Sequence, residues 1–232
     1  MSSQKIPTAD GFDTLYSTAY EQTYHSTHGA LTEARHVFLE GTGVAERLAQ
    51  RLPTRVLEIG FGTGLNFLLT AHRAASAHTR LHYTALEKDV LPADVLAPLN
   101  HGKRLGAVPL SEALLAWRRA LPGTPSSGLY RHPFSETLAL QLVVGDATEV
   151  PIPGPAYHAV YLDAFSPDAN PELWTASFLA RLFAVMHPGG TLATYSAKES
   201  VRRNLEAVDF RVGKRPGPPG KREMLVAVRP GV

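Results

Sequence analysis

Residues 56–67 read Val56-Leu57-Glu58-Ile59-Gly60-Phe61-Gly62-Thr63-Gly64-Leu65-Asn66-Phe67, a short apolar run that breaks into three alternating glycines and resumes in a helical pattern. The order predicts a strand, a tight turn and a helix. Glycine is needed where the backbone takes a positive φ or lies against a ligand without an intervening Cβ. Amides at the start of a helix then face that ligand. The stretch therefore predicts a nucleotide-type pocket in an α/β fold.

The spacing of the glycines indicates which ligand the pocket binds. The dinucleotide fingerprint G-x-G-x-x-G/A fails in both registers, because Leu65 and Phe67 stand where a small residue is required. The phosphate loop also fails, since no Lys-Ser or Lys-Thr follows the glycines. An E-x-G-x-G-x-G loop instead resembles that of methyltransferases that use S-adenosyl-L-methionine as cofactor. A glycine-rich turn of another α/β protein is the alternative. The predicted cofactor contacts in this loop are Glu58, Gly60, Phe61, Gly62, Gly64 and Asn66.

Two acidic residues follow apolar runs further along the chain. Glu87 ends the run 81–87, about 20 residues beyond the glycines, where a ribose-binding acid belongs in a doubly wound fold. Asp146 ends the run 140–146 and suits the adenine amino group. Surface carboxylates at strand ends are the ordinary alternative. We expect Glu87 and Asp146, with their neighbours Lys88 and Ala147, to contact the cofactor.

Composition limits the class of protein and its chemistry. The chain has 232 residues, of which 44% are hydrophobic, and its apolar runs fall short of the roughly 20 residues that a membrane span needs. Its polar start does not resemble a signal peptide, so a cytoplasmic location is expected. Without cysteine there is no thiol nucleophile and no cysteine-ligated iron–sulfur cluster, so methyl transfer is expected to be direct. The net charge of +2 permits a nucleic-acid partner without requiring one.

Alternating strand and helix patterns predict one Rossmann-like α/β domain over residues 1–232, with a seven-stranded, mostly parallel sheet and helices on both faces. Residues 1–41 are expected to form a lid segment, and residues 42–232 the core. An insertion at 99–137 either shapes a substrate cleft or caps the sheet. Strands are expected near residues 55–59, 81–86, 138–144, 158–162, 190–195, 207–213 and 223–228. Helices are expected near residues 42–51, 64–75, 91–98, 110–120, 171–186 and 198–206.

The fourth predicted strand leads into Asp163-Ala164-Phe165-Ser166-Pro167. These residues fall at the carboxyl edge of the sheet, where open α/β sheets bind ligands. Asp163 can accept a hydrogen bond from a substrate amine, orient it and stabilise the positive charge that develops on nitrogen. Because a carboxylate also raises the pKa of a neighbouring ammonium, Asp163 is expected to position the amine more than to act as a strong base. Asp163 as a turn cap and Phe165 as a core residue are the structural alternative.

Eight stretches, two of them already described, resemble the MnmC/MnmD-type tRNA methyltransferases. Together they span nearly the whole chain. They are residues 10–16 (DGFDTLY), 21–30 (EQTYHSTHGA), 33–39 (EARHVFL), 58–67 (EIGFGTGLNF), 163–167 (DAFSP), 170–175 (NPELWT), 189–195 (GGTLATY) and 220–224 (GKREM).

The resemblance implies methylation of the amine of 5-aminomethyl(-2-thio)uridine at the tRNA wobble position. In two-part relatives a flavin oxidoreductase domain follows and makes that amine. This sequence resembles the stand-alone methyltransferase form, so a separate enzyme is expected to supply the aminomethyl precursor. A methyltransferase for a small amine is the first alternative function, and a catalytically silent, partner-binding relative is the second.

The segment 24–36 combines an aromatic residue, three histidines and an acid. Their spacing matches no zinc pattern, and transfer from a sulfonium needs no Lewis acid, so no metal is expected. As parts of a lid, Tyr24 and Glu33 are expected to face the sulfonium or the substrate ammonium, while His25 and His36 hold the lid by hydrogen bonds.

Contacts to an unpaired RNA base are expected from aromatic rings and basic side chains. Phe165 and Trp174 are the predicted stacking residues, with Pro167 beside them. A solvated basic face is the ordinary alternative for the cations. The predicted basic contacts are Lys198, Arg202, Arg203, Lys214, Arg215, Lys221 and Arg222, of which Lys198, Lys221 and Arg222 are the nearest to the expected site.

Overall fold

The computed structural model of the chain describes residues 4–154 and 156–231. Its first three strands form a small antiparallel sheet at the amino-terminal end of the chain. They are β1 (Gln4–Pro7), β2 (Asp13–Ser17) and β3 (Gln22–Thr23). No helix among the described residues is both long enough and apolar enough to cross a membrane.

The main sheet has eight strands. In chain order they are β4 (Thr54–Ile59), β5 (Leu81–Glu87), β6 (Gly128–Pro133), β7 (Leu138–Val144), β8 (Tyr157–Leu162), β9 (Met186–Thr194), β10 (Arg211–Pro216) and β11 (Glu223–Val228). Their spatial order is β10-β11-β9-β8-β4-β5-β7-β6. The five central strands are parallel, and β10, β11 and β6 run antiparallel to their neighbours. The carboxyl ends of the parallel strands therefore meet at one edge.

Helices cover both faces of this sheet. Strand β8 contributes to a separate buried cluster on each face: Ala159 and Tyr161 belong to one cluster, and Val160 and Leu162 belong to the other. This follows from the alternation of side chains along a strand. The helices are α1 (Ala30–Glu33), which continues as a π-helical segment (Ala34–Glu40), α2 (Val44–Ala49), α3 (Leu65–Ser76), α4 (Ala93–Leu96), α5 (His101–Leu105), α6 (Val108–Ala120), a 3₁₀ turn (Pro171–Trp174), α7 (Ala176–Val185) and α8 (Glu199–Glu206).

The predicted α/β fold, with a mostly parallel sheet and helices on both faces, is confirmed. The predicted count of seven strands is wrong, because the insertion 99–137 adds β6 to the edge of the sheet as an antiparallel strand. The strand predicted at 190–195 begins earlier, at Met186, and the one predicted at 207–213 lies at Arg211–Pro216. The insertion therefore caps the sheet edge. Its residues 123–125 also reach the ligand cavity described next.

Candidate active site

A cavity of about 770 Å³ lies at the carboxyl edge of the main sheet. Its floor is formed by the glycine loop after β4 and by the residues that follow β5, β7 and β8. Residues 16–27 of the amino-terminal segment line the opposite side. The volume falls within the range of about 300–1,000 Å³ that small-molecule sites occupy.

The three glycines of the loop after β4 stand at positions that do not favour a side chain. Gly60, Gly62 and Gly64 have φ of +89°, +51° and +77°, which other residues rarely adopt. A Cβ on Gly60 would lie 2.8 Å from the carbonyl oxygen of Asp163, and one on Gly62 would lie 3.0 Å from Cδ1 of Tyr24. The backbone of this loop thus lies between the turn after β8 and the amino-terminal segment, and α3 begins directly after it.

Glu87 connects the glycine loop to the end of β5. Its Oε2 accepts a hydrogen bond from the Gly62 amide at 2.9 Å, and its Oε1 accepts one from the Asp89 amide at 2.9 Å. Burial raises the pKa of Glu87. The side chain lines the cavity, and its two oxygens have further lone pairs with which to accept hydrogen bonds.

Asp146 occupies the corresponding position after β7. Its Oδ1 accepts hydrogen bonds from the Thr148 amide and hydroxyl, at 3.0 and 2.7 Å, and its Oδ2 accepts one from Lys88 Nζ at 3.0 Å. The bonds from Thr148, followed by that from Lys88, lower the pKa of Asp146 to about 2, so this carboxylate stays ionised. Asp146, Lys88 and Ala147 all line the cavity.

Asp163 follows β8 and belongs to a buried chain of hydrogen bonds. Nδ2 of Asn66 donates to Asp163 Oδ2 and to Glu58 Oε1, each at 2.8 Å, and the Tyr83 hydroxyl donates to Glu58 Oε2 at 2.9 Å. Burial, with the neighbouring charges of Glu33 and Glu58, raises the pKa of Asp163 well above its usual range. Burial also raises the pKa of Glu58 to about 8. The site thus presents Asp163 to the cavity with its orientation fixed from behind.

The amino-terminal segment covers the cavity and is bonded to the residues after β8. Gln22 Nε2 donates to the Ser166 hydroxyl at 2.7 Å, and Gln22 Oε1 accepts from the Ser166 amide at 3.2 Å. The Tyr20 ring stacks on Phe165 with centroids 4.2 Å apart, and Tyr24 meets Phe165 edge-on at 5.1 Å. Sequence reasoning missed Tyr20 and Gln22. The available signal was the spacing of four between Tyr16, Tyr20 and Tyr24.

Two buried histidines join the same segment to the glycine loop. His25 Nδ1 shares a hydrogen bond with the Thr14 hydroxyl at 3.0 Å, and its Nε2 lies 3.3 Å from the Thr63 hydroxyl. His101 Nε2 lies 3.1 Å from that same hydroxyl. Burial lowers the pKa of His25 to about 3 and that of His101 to about 4, so both are neutral near pH 7. His36 Nε2 bonds the Pro216 carbonyl at 2.8 Å.

Comparison with known proteins identifies the family. A family model described as "S-adenosyl-L-methionine-dependent methyltransferase" matches residues 112–230. The chain belongs to this family. The predicted cofactor, S-adenosyl-L-methionine, is therefore confirmed.

Several relatives carry the name "tRNA 5-methylaminomethyl-2-thiouridine biosynthesis bifunctional protein MnmC", as the sequence resemblance predicted. The protein of that name from Cupriavidus metallidurans is 42% identical over 221 residues, covering 92% of this chain and 32% of the relative. The one from Ralstonia nicotianae is 40% identical over 222 residues, covering 94% of this chain and 33% of the relative. This chain thus spans about a third of the length of these relatives.

A solved structure shares the fold over the full chain. The crystal structure of MNMC2 from Aquifex aeolicus superimposes with a TM-score of 0.82 and 28% identity, and the match covers 100% of this chain and 71% of that one.

The cavity of this methyltransferase fits S-adenosyl-L-methionine by its own chemistry. Gly60 and Gly62 line the cavity, so the backbone of the loop meets a ligand there without an intervening Cβ. Glu87 offers carboxylate oxygens for ribose hydroxyls, and Asp146 offers one for an amino group. Tyr24 and the carboxylates Asp163 and Glu33 line the part of the cavity that a sulfonium cation would favour. These residues would hold the cofactor.

Not every predicted contact of the methyltransferase lies in the cavity. Glu58 is 1% exposed, does not line the cavity and supports Asn66 from behind, so its predicted cofactor contact stays a prediction. Gly64 contributes the turn into α3 and does not line the cavity. Trp174 is 3% exposed, and its Nε1 donates to the Phe165 carbonyl at 3.0 Å. It fixes the Phe165 turn and is not available for base stacking. The predicted contacts that do line the cavity are Tyr24, Glu33, Gly60, Phe61, Gly62, Asn66, Glu87, Lys88, Asp146, Ala147, Asp163, Phe165 and Lys221.

The predicted basic contacts are mostly engaged by acids. Lys198 pairs with Asp168, Arg202 with Glu199 and Glu206, Lys214 with Glu223 and Lys221 with Glu33. Arg222 is exposed, and Pro167 is partly buried outside the cavity. Among the described residues, no group of three or more His, Asp or Glu side chains is arranged to hold a metal ion.

Proposed function

We propose that this protein is an S-adenosyl-L-methionine-dependent N-methyltransferase acting on tRNA. It converts 5-aminomethyl(-2-thio)uridine at the wobble position to 5-methylaminomethyl(-2-thio)uridine. The observation that carries the proposal is Asp163, oriented by Asn66 at the edge of the cavity with Glu33 nearby, a pair of acids suited to an amine. The names of the MnmC relatives support the tRNA substrate.

The side chains of the site would orient the amine, stabilise its charge, accept its proton and exclude water. The bound cofactor supplies an electrophilic methyl group. Asp163 accepts an N–H of the substrate amine, which directs the nitrogen lone pair, and its charge stabilises the cation that forms on nitrogen. Because burial raises the pKa of Asp163, this carboxylate also accepts the amine proton more readily than an exposed one. Phe165 and Tyr20 place an apolar wall beside the amine, which excludes water.

The proposal includes a partner and a source of substrate. The anticodon loop of tRNA presents the wobble base, with Phe165, Pro167 and Arg222 on the rim of the site. A separate enzyme supplies the aminomethyl precursor, and the reaction takes place in the cytoplasm, where tRNA is modified.

One observation favours a second candidate, a methyltransferase for a small amine. Four of the basic residues predicted to meet RNA are paired with acids within the protein, which leaves less free positive charge for phosphates. A silent, partner-binding role is less well supported, because the glycine loop and Asp163 are both intact.

The test uses tRNA bearing the aminomethyl group and a cofactor labelled in its methyl group. Nucleosides released after incubation are analysed by mass spectrometry, with Asp163→Ala as control. A mass gain of one methyl on the wobble nucleoside, absent with the control, is expected. Labelling of a free aminomethyl nucleoside or a simple amine, but not of tRNA, would support the small-amine candidate.

A further inference from the structure

Lys221, which the sequence predicts to contact RNA at the rim of the site, lines the cavity. Its Nζ donates to Glu33 Oε2 at 2.5 Å and lies 3.9 Å from the centroid of the Tyr195 ring. The side chain of Lys221 is 31% exposed and that of Glu33 is 8% exposed. Three distant parts of the chain thus meet at one ammonium group: α1, the residue after β9, and the turn before β11.

Glu33 is held on both sides. Its second oxygen, Oε1, accepts from the Ser26 amide at 3.1 Å, so both oxygens have a donor. A buried carboxylate without a cation is strongly disfavoured, and removing one partner of a buried pair leaves the other uncompensated. The ion pair also joins the amino-terminal segment to the turn 216–220, next to the bond between His36 and Pro216.

Asp163 faces an unusual balance of charge. The acids near it are Glu33 from α1 and Glu58 from β4, and the phenols of Tyr83 and Tyr195 face it from β5 and from the end of β9. Lys221 is the cation that acts on it in the opposite sense. Two carboxyl groups, Asp163 and Glu33, therefore line the cavity at the proposed amine position, Glu58 lies behind them, and one ammonium group offsets their charge.

We propose that Lys221 is a positioning residue of the methylation site, the counter-ion that allows Glu33 and Asp163 to be ionised together when the amine arrives. The inference rests on the proposed function, since it requires an amine substrate. It differs from a phosphate contact, because the ammonium group is already engaged by Glu33 within the cavity. Without Lys221, Asp163 would keep its proton to higher pH and would lack the charge that stabilises the cation formed on nitrogen.

The first test compares Lys221→Met with Lys221→Arg and with Lys103→Met, an exposed lysine of α5. Rates with aminomethyl tRNA are measured from pH 6 to 9.5. For Lys221→Met we expect the acid limb of the pH profile of kcat to move to higher pH by about one unit. At pH 7 this shift lowers kcat by about tenfold. Lys221→Arg should restore most of the rate, because it keeps the charge. Lys103→Met should match the wild type.

A raised KM for tRNA with an unmoved pH profile in Lys221→Met would overturn the inference and assign Lys221 to RNA. A wild-type protein inactive on every amine would instead overturn the proposed function.

The second test needs neither cofactor nor substrate. Thermal unfolding of Lys221→Met is compared with that of Glu33→Gln/Lys221→Met at pH 5 and pH 8. When the pKa of a carboxyl group is higher in the folded protein than in the unfolded chain, the folded protein loses stability as the pH rises above the unfolded-state pKa. We expect Lys221→Met to be destabilised more at pH 8 than at pH 5, and the second substitution to remove that difference. Equal destabilisation at both pH values, or no recovery in the double variant, would contradict the counter-ion role.

Discussion

Asp163 is the carboxylate that we propose to hold the substrate amine. Asn66 holds its Oδ2 at 2.8 Å, and burial keeps its pKa high. We expect Asp163→Ala to lower kcat by about 100-fold or more, as loss of a preorganised charge in the transition state does. Cofactor affinity should change little. Asp163→Asn should keep part of the rate, because it retains an acceptor without the charge. Kinetics and calorimetry on the same variants measure both quantities, and an equal loss in each would assign Asp163 to cofactor binding or to the turn.

Glu87 makes a separate prediction, about the cofactor. Glu87→Ala removes the proposed acceptor for the ribose hydroxyls, a loss of roughly 1.5 to 3 kcal/mol for charge-assisted hydrogen bonds. Calorimetry should therefore show binding weakened about tenfold or more. Because Glu87 also accepts the amides of Gly62 and Asp89, Glu87→Gln is the matched variant that keeps one acceptor oxygen. Unchanged affinity in Glu87→Ala would remove this residue from the site.

The sequence predicted the positions of the strand-end acids correctly but not the direction of every side chain. Glu87, Asp146 and Asp163 each follow an apolar run, which places them at the ligand edge. Glu58 belongs to the same motif, yet side chains alternate along a strand and its carboxyl group points into the core. The environment of Lys221 depends on Glu33, 188 positions away, and no local pattern reveals such a pairing.

At the scale of elements, the strands that were predicted well are the buried ones. Their mostly apolar runs, such as Leu138–Val144 with a single polar residue at Gln141, mark both ends. Strand β6 escaped prediction because it lies at the sheet edge, where most of its residues are exposed and no apolar period marks it. The lid role of the amino-terminal segment stays a prediction, made from residue types alone. The bonds of this segment, through Gln22 to Ser166 and through His25 to Thr63, depend on tertiary contacts that the sequence does not encode locally.

The link between the amino-terminal segment and the glycine loop should weaken in acid. His25 and His101 have folded-state pKa values lowered to about 3 and about 4 by burial. A histidine with a lowered pKa contributes stability that is complete above its unfolded pKa near 6.5 and is lost as the pH falls. Each pH unit below 6.5 should therefore cost about 1.4 kcal/mol per histidine. Relative to the intrinsic exchange rate, which itself falls with pH in this range, hydrogen exchange of residues 14–25 should accelerate between pH 7 and pH 5. A His25→Asn/His101→Asn variant should lose this acceleration, and the same pH response in that variant would exclude the histidines as its source.

For the whole molecule, the distribution of charge decides between the two candidate substrates. The net charge is only +2, and Lys198, Lys214 and Lys221 are each paired with an acid. The exposed pairs, those of Lys198 and Lys214, add little stability. They do reduce the positive field that phosphates experience, because each cation has a neighbouring anion. A tRNA partner must then rely on cations such as Arg203 and Arg222, which are exposed and have no ion pair in the part of the chain that the structure describes.

The salt dependence of tRNA binding tests this distribution. Each contact to a single-strand phosphate should contribute about 0.7 to the slope of log K against log salt concentration. Arg222→Met should lower the slope by about that amount and raise KM for tRNA. Lys214→Met, which removes the same charge from a lysine paired with Glu223 at 2.8 Å, should leave the slope nearly unchanged.

Neither substitution should affect the reaction of a free aminomethyl nucleoside, since its amine would contact only the cavity. A free nucleoside that reacts as fast as intact tRNA, with no salt dependence for either, would favour the small-amine candidate, because a site that gains nothing from the phosphates has no physical means of selecting RNA.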